Sequence, residues 1–168
     1  MAAEINAPTK PEEASASPLI IGIGASAGGL EALQQFFQNM PANSGLSFVV
    51  VQHLSPDYKS LMADILGKHT QMRVLQAENE MQIRPNTVYL IPPKNNMTLR
   101  DGRLFLTEFV HGMLNHPIDI FFTSLAEEQK ERAIAVILSG TGSDGTSGIK
   151  IVKEHGGLVI VQNPDSAK

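Results

Sequence analysis

The chain contains no cysteine. That excludes a disulfide framework and any zinc site built on thiolates. Aromatic residues are scarce at 5% while hydrophobic residues reach 42%, so a core must be mainly aliphatic. Basic residues are not in excess: 13 Lys and Arg stand against 17 Asp and Glu, a net charge of −4. A general nucleic-acid binder needs a basic face, so the charge balance argues against nucleic acid as a partner. No apolar run approaches the roughly 20 residues of a membrane span, which speaks against direct membrane insertion. The opening segment joins no basic flank to an apolar run and does not read as a signal peptide. A soluble cytoplasmic protein is expected. Asn96-Met97-Thr98 matches a glycosylation sequon, and without a secretion signal it reads as chance.

What the chain does have is glycine in patterned places. Leu19-Ile20-Ile21-Gly22-Ile23-Gly24-Ala25-Ser26-Ala27-Gly28-Gly29-Leu30 is an apolar run ending in glycines. An amphipathic segment, Leu30 to Met40, follows, so the stretch reads as strand, tight turn and helix. Ser26 sits in the turn within Gly24-x-Ser26-x-Gly28. A serine on such a turn projects its hydroxyl at the C-terminal edge of a sheet. The helix N-terminus beside it offers free N–H groups to a developing oxyanion. The same letters also read as Gly22-x-Gly24-x-x-Ala27, a dinucleotide fingerprint. A glycine turn without a chemical role is a third reading.

The 168 residues suffice for one domain with a sizeable core. Residues 1–18 are rich in Ala, Pro, Glu and Ser without hydrophobic period, and are expected to be a disordered tail. Residues 19–168 form the expected domain. Strands are expected at Leu19–Gly24, Ser47–Gln52, Met72–Ala77, Thr87–Ile91, Ala133–Leu138 and Leu158–Val161. Helices are expected from Leu30 to Met40, Asp57 to His69, Pro117 to Glu131 and Gly145 to His155. Asp101-Gly102 between alternating flanks predicts a hairpin over Thr98–Leu106. The alternation predicts an α/β fold: a doubly wound, mostly parallel sheet with helices on both faces and an inserted hairpin. Ligands of such sheets bind outside the C-terminal strand ends. Ser26, His53 and the loop Ser139–Gly145 all follow strands directly, so neighbouring strands would bring them to one edge.

Acyl transfer by serine needs a base to take the hydroxyl proton and an acid to orient the base. Ser26 is the candidate nucleophile. His53 is the candidate base, because it alone among the 5 histidines immediately follows a buried strand. Asp144, in Gly140-x-Gly142-x-Asp144-Gly145, is the candidate acid; its bland alternative is an N-cap for the helix that follows. The dinucleotide reading fits these residues less well. It expects an acidic residue after the second strand, where the chain has Gln52-His53. It would also set Asp144 against a pyrophosphate. His69 and His155 lie near helix C-termini, where they suit the dipole. His111 and His116 flank a loop, and a metal pair lacking nearby carboxylates there is not expected. Asp119 reads as a first-turn residue of its own helix.

Taken together, these motifs resemble the catalytic domain of the chemotaxis protein-glutamate methylesterases (CheB-type), from about Ile20 onward. Gly24-Ala25-Ser26-Ala27-Gly28-Gly29 is similar to that family's nucleophile turn, Val51-Gln52-His53 to its histidine segment, and Gly140–Gly145 to its aspartate loop. The resemblance implies Ser26 as nucleophile, His53 as general base and Asp144 as orienting acid. It implies an oxyanion hole from backbone N–H groups near Ala27 and Thr141, and no cofactor or metal. The implied reaction is hydrolysis of γ-glutamyl methyl esters on the cytoplasmic helices of chemoreceptors, with deamidation of glutamines there. The chain departs from the family in reading Lys94-Asn95-Asn96-Met97 where a histidine often precedes the methionine. It also has His116 where arginine often precedes the proline. A tail stands where the family's receiver domain usually lies, and the last loop and helix of the domain are expected to be missing. The resemblance thus extends to methylesterase domains fused to a methyltransferase and sensor domains. The alternative reading is a regulatory or interaction module with little turnover.

Overall fold

The computed structural model describes residues 18–26, 28–52, 61–110, 112–139 and 142–166. Six strands form a parallel sheet: β1 (Ile20–Ala25), β2 (Ser47–Gln52), β3 (Arg73–Gln76), β5 (Thr87–Leu90), β8 (Ile134–Leu138) and β9 (Leu158–Val161). Their order across the sheet is β3-β5-β2-β1-β8-β9. The first strand therefore lies inside the sheet, between β2 and β8. Strand order reverses at that point, which is where open parallel sheets leave a crevice for ligands.

Side chains alternate across the sheet and build a core on each face. Ile21, Ile23, Phe48 and Val50 pack with Leu33 and Phe37 of α1 (Gly29–Gln38) and with Met62 and Leu66 of α2 (Leu61–Gly67). Phe36, Phe37 and Phe48 meet edge to face with centroids 5.2–5.8 Å apart. On the other face Ile20, Val49 and Val51 pack with Ile118, Phe121, Phe122 and Leu125 of α3 (Pro117–Gln129) and with Val152 of α4 (Thr146–Glu154). Each such large side chain contributes about 1.5–3 kcal/mol when fully buried. The outer strand β9 is less covered: Leu158, Ile160 and Val161 are exposed.

Most of the expected elements appear, with ends shifted by a residue or two. The part of the second expected helix before Leu61 lies outside the described residues. So does the N-terminal segment 1–17. The third helix stops at Gln129 and tightens into a 3-10 turn over Lys130–Arg132. The hairpin is longer than expected. Strands β6 (Asn95–Arg100) and β7 (Arg103–Glu108) pair antiparallel around Asp101 and Gly102, at φ 50° and 68°. Both central residues at positive φ make the mirror-image turn that matches strand twist. A two-residue strand, β4 (Met81–Gln82), joins β7 to complete a three-stranded sheet. At two residues it has no readable period.

Helix α3 buries Ile118, Phe121, Phe122, Leu125 and Ala126, and even its Ser124 is buried. The hairpin is bonded to it: Ser124 Oγ accepts from Leu99 N–H at 3.0 Å, and Glu128 Oε1 from Gly102 N–H at 3.1 Å. Its other side presses on β1. A Cβ at Gly24 would lie 2.6 Å from Ile118 Cγ2, so only glycine lets the helix approach this close.

Candidate active site

Ala25, the last residue of β1, pairs with Gln52 of β2 on one side and Leu138 of β8 on the other. Three strands thus end in one row. The chain continues from that row as Ser26, as residue 53 and as Ser139. The expected meeting of three loops at one sheet edge is what the strand order produces. Ser26 and Asp144 are among the described residues; His53, Ala27 and Thr141 lie outside them.

Ser26 leaves β1 directly and turns at once into α1. Its carbonyl accepts from Gly29 N–H at 2.9 Å. The N-cap, Gly28, holds φ 106°, a left-handed conformation that glycine adopts without steric cost. The turn is tied across the sheet to Ser139, whose carbonyl accepts from Ser26 N–H at 3.3 Å and from Ser26 Oγ at 3.5 Å. Ser139 is buried and holds φ 42°, a region that non-glycine residues rarely occupy. Sequence reasoning missed Ser139 as part of the site. The available signal was its place at the start of the glycine-rich loop.

Gln52 was also missed. It is buried, its Nε2 donates to the Ser26 carbonyl at 3.5 Å, and its Oε1 has no hydrogen-bond partner among the described residues. It lines a cavity of about 40 Å³ together with Pro93, Lys94, Phe109 and Pro117. A groove of about 600 Å³ shares Pro93, Lys94, Asn95 and Phe109 and runs out past Val110 and Met113, both exposed. The two rim departures noted in the sequence, Lys94–Met97 and His116, bear differently on this region. Lys94 and Asn95 line the groove, whereas Met97 is fully buried in the core.

Asp144 is held from below by a helix that is not its own. Its Oδ2 accepts from Ile118 N–H at 3.0 Å and its Oδ1 from Asp119 N–H at 2.9 Å. The bland alternative from sequence was a cap for the following helix; these two bonds run to α3, which Asp144 caps. The physical reason is that α3 has no side-chain cap from its own N-cap residue, His116. Asp119 lies in the first turn of its own helix, as expected, and has a second role there. Its Oδ1 accepts from Gly148 N–H, in the first turn of α4, at 2.6 Å.

His116 Nδ1 lies 3.9 Å from Asp144 Oδ1. One ligand-type atom each from His116, Asp119 and Asp144 fall within 4.8 Å of one another. Asp119 stands three residues after His116, and the fold adds Asp144 beside them. The two carboxylates already accept amides at two helix N-termini, whose positive dipole ends favour anions over a metal ion. His69 and His155 lie at helix C-termini as expected; His155 Nδ1 is 2.9 Å from the Ile151 carbonyl oxygen.

A parallel α/β sheet whose switch point carries a serine on a strand-to-helix turn defines a class of hydrolase-like architectures. The family model for the CheB methylesterase matches residues 21–168. The crystal structure of the Thermotoga maritima CheB methylesterase catalytic domain superposes with a TM-score of 0.80 at 33% identity, covering 90% of this chain and 82% of that one. A protein-glutamate methylesterase/protein-glutamine glutaminase of Thermotoga maritima is 33% identical over 94% of this chain and 46% of its own length. An uncharacterised 104.1 kDa protein of Rhodobacter capsulatus is 48% identical over 64% of this chain, which spans 11% of that protein. The chain belongs to the CheB methylesterase family. Among its described residues no helix is long and apolar enough to cross a membrane.

Proposed function

We propose that this chain is a serine esterase domain that hydrolyses γ-glutamyl methyl esters on methylated chemoreceptor-type proteins. Ser26 Oγ attacks the ester carbonyl carbon while His53 takes its proton. Asp144 orients the imidazole and offsets its positive charge. Backbone N–H groups of Ala27 and Thr141 receive the oxyanion. Collapse of the tetrahedral adduct breaks the bond to the methoxy oxygen, which leaves as methanol with the proton from His53. Water, deprotonated by His53, then cleaves the acyl-serine and frees a glutamate. The same steps on glutamine release ammonia. The domain boundary at residue 19 and fusion to methyltransferase and sensor domains belong to this reading.

The observation that carries it is the row Ala25, Gln52 and Leu138, from which the three loops of the reading leave together. The test is methanol release from a methylated receptor fragment by the full-length protein, with Ser26→Ala alongside. Release by the parent and its loss in the variant are expected. Equal release by both would remove Ser26 from the chemistry.

A further inference from the structure

Helices α3 and α4 exchange their N-terminal caps. An α-helix begins with backbone N–H groups that have no partner inside the helix, and the N-cap side chain commonly supplies one. Neither helix has that provision: the N-cap of α3 is His116, the N-cap of α4 is Gly145, and neither makes a side-chain cap hydrogen bond. Instead Asp144, one residue before Gly145, accepts from Ile118 and Asp119 of α3. Asp119, in the first turn of α3, accepts from Gly148 in the first turn of α4 at 2.6 Å. The two carboxylates cross between the helices in opposite directions. The arrangement depends on close approach. A Cβ at Gly148 would stand 2.7 Å from Phe122 Cβ and 3.1 Å from Asp119 Cα.

We propose that Asp119 is a positioning residue for the reaction, acting through Asp144. This rests on the reading of Asp144 as the acid that orients His53. Asp144 sits on a glycine-rich loop, Gly142-Ser143-Asp144-Gly145, whose first two residues are exposed. The start of α4 packs closely on α3 at Gly145 and Gly148, and Asp119 ties it there through its bond from Gly148 N–H. With that anchor gone, Asp144 keeps both its partners on α3 only if the loop stays in register. A displacement of about 1 Å in such a group can cost on the order of 100-fold in rate.

The experiment compares Asp119→Ala, Asp119→Asn and Asp144→Ala in the full-length protein, by steady-state ester hydrolysis and thermal melting. Asp119→Ala should lower kcat about 10–100-fold with KM nearly unchanged, measured well below its melting temperature. Asp119→Asn retains an oxygen that can accept from Gly148 N–H and should restore most of that loss. A structural role alone would lower the melting temperature of Asp119→Ala and leave kcat intact, which would overturn the proposal. If Asp119→Ala does not fold, Asp119→Glu serves, because it keeps the charge and moves the carboxylate outward by one methylene. It should fold and lose at least about fivefold in kcat; full kcat in it would overturn the proposal. Asp144→Ala separates the two ideas. If it is inactive while Asp119→Ala is fully active, only the positioning role fails. If it keeps full activity, the assignment of Asp144 as the acid fails and takes the positioning role with it.

Discussion

The two described sides of the site are built to different standards. On the nucleophile side the ties across the sheet are long: 3.3 Å from Ser26 N–H and 3.5 Å from its Oγ to Ser139, and 3.5 Å from Gln52 to the Ser26 carbonyl. On the acid side the bonds are 2.6 to 3.0 Å, they involve carboxylates, and they lock two helix ends together. Charge-assisted hydrogen bonds are shorter and roughly twice as strong as neutral ones. The difference assigns different tolerances. The turn around Ser26 is backbone-defined and should accept small side-chain changes without loss of fold. On the proposed reading the Asp144 side carries orientation as well as stability, so changes there should move both.

The largest effect should come from the nucleophile side and touch activity alone. Ser26→Ala is expected to lower ester turnover at least about 10³-fold, with residual catalysis from the oxyanion hole and binding. Stability should change by less than about 0.5 kcal/mol, as for an ordinary site outside the core. Parallel kinetics and denaturant melts check both. A large loss of stability would erase the contrast between the two sides.

Asp144→Asn should move both quantities. In the serine-protease case the equivalent change lowers turnover about 10⁴-fold because the imidazole takes the wrong tautomer. A fall of about 10²–10⁴-fold is expected here. The fold adds a second consequence. A carboxylate accepts from Ile118 and Asp119 with two oxygens, whereas an amide has one oxygen and turns its NH₂ toward the other donor. A loss of about 1–2 kcal/mol follows, the scale of a damaged cap. Unchanged stability would mean the caps on α3 are dispensable.

Gly148→Ala probes the helix contact without removing a polar group. On helix propensity alone alanine is favoured over glycine by about 0.8–1 kcal/mol. The close approach to Phe122 and Asp119 predicts the opposite sign, a loss of about 1–3 kcal/mol from overpacking. Chemical denaturation decides between them.

The parts legible in the sequence are those set by local pattern. The continuous apolar strand at Phe48–Val51, the Asp101-Gly102 turn and the Ser26 turn each carry a short-range signal. The meeting of Ser26 with the Asp144 loop was legible too, since strand ends and the parallel rule were enough. The exchanged caps were not. His116 is not a favoured N-cap and Gly145 has no side chain to cap with, which is a readable gap, but nothing local says that Asp144 and Asp119, 25 residues apart, fill it in trans. Ser139 and Gln52 were missed for a related reason. Their roles arise from register across β1, β2 and β8, and register is a tertiary property.

The smallest expected effect lies at Gln52. This residue is 8% exposed, and its Oε1 is buried without a partner among the described residues. A buried polar atom left unpaired costs about 1–3 kcal/mol. Its one bond from Nε2, at 3.5 Å, returns little of that. The Ser26 carbonyl it reaches already accepts from Gly29 N–H at 2.9 Å, so the turn keeps a partner without it. Gln52→Met replaces the amide with an unbranched apolar chain of similar length that can adapt to the cavity. Stability should therefore be unchanged or rise by up to about 1 kcal/mol, the reverse of the usual sign for a core substitution. Turnover should stay within about threefold of the parent, because uniform packing changes do not alter transition-state stabilisation. A fall in kcat/KM beyond tenfold at full stability would give a different answer. It would mean that the unpaired carbonyl is kept for a hydrogen-bond donor on the bound substrate. The nucleophile side would then be tied to substrate, not merely loosely tied to the sheet.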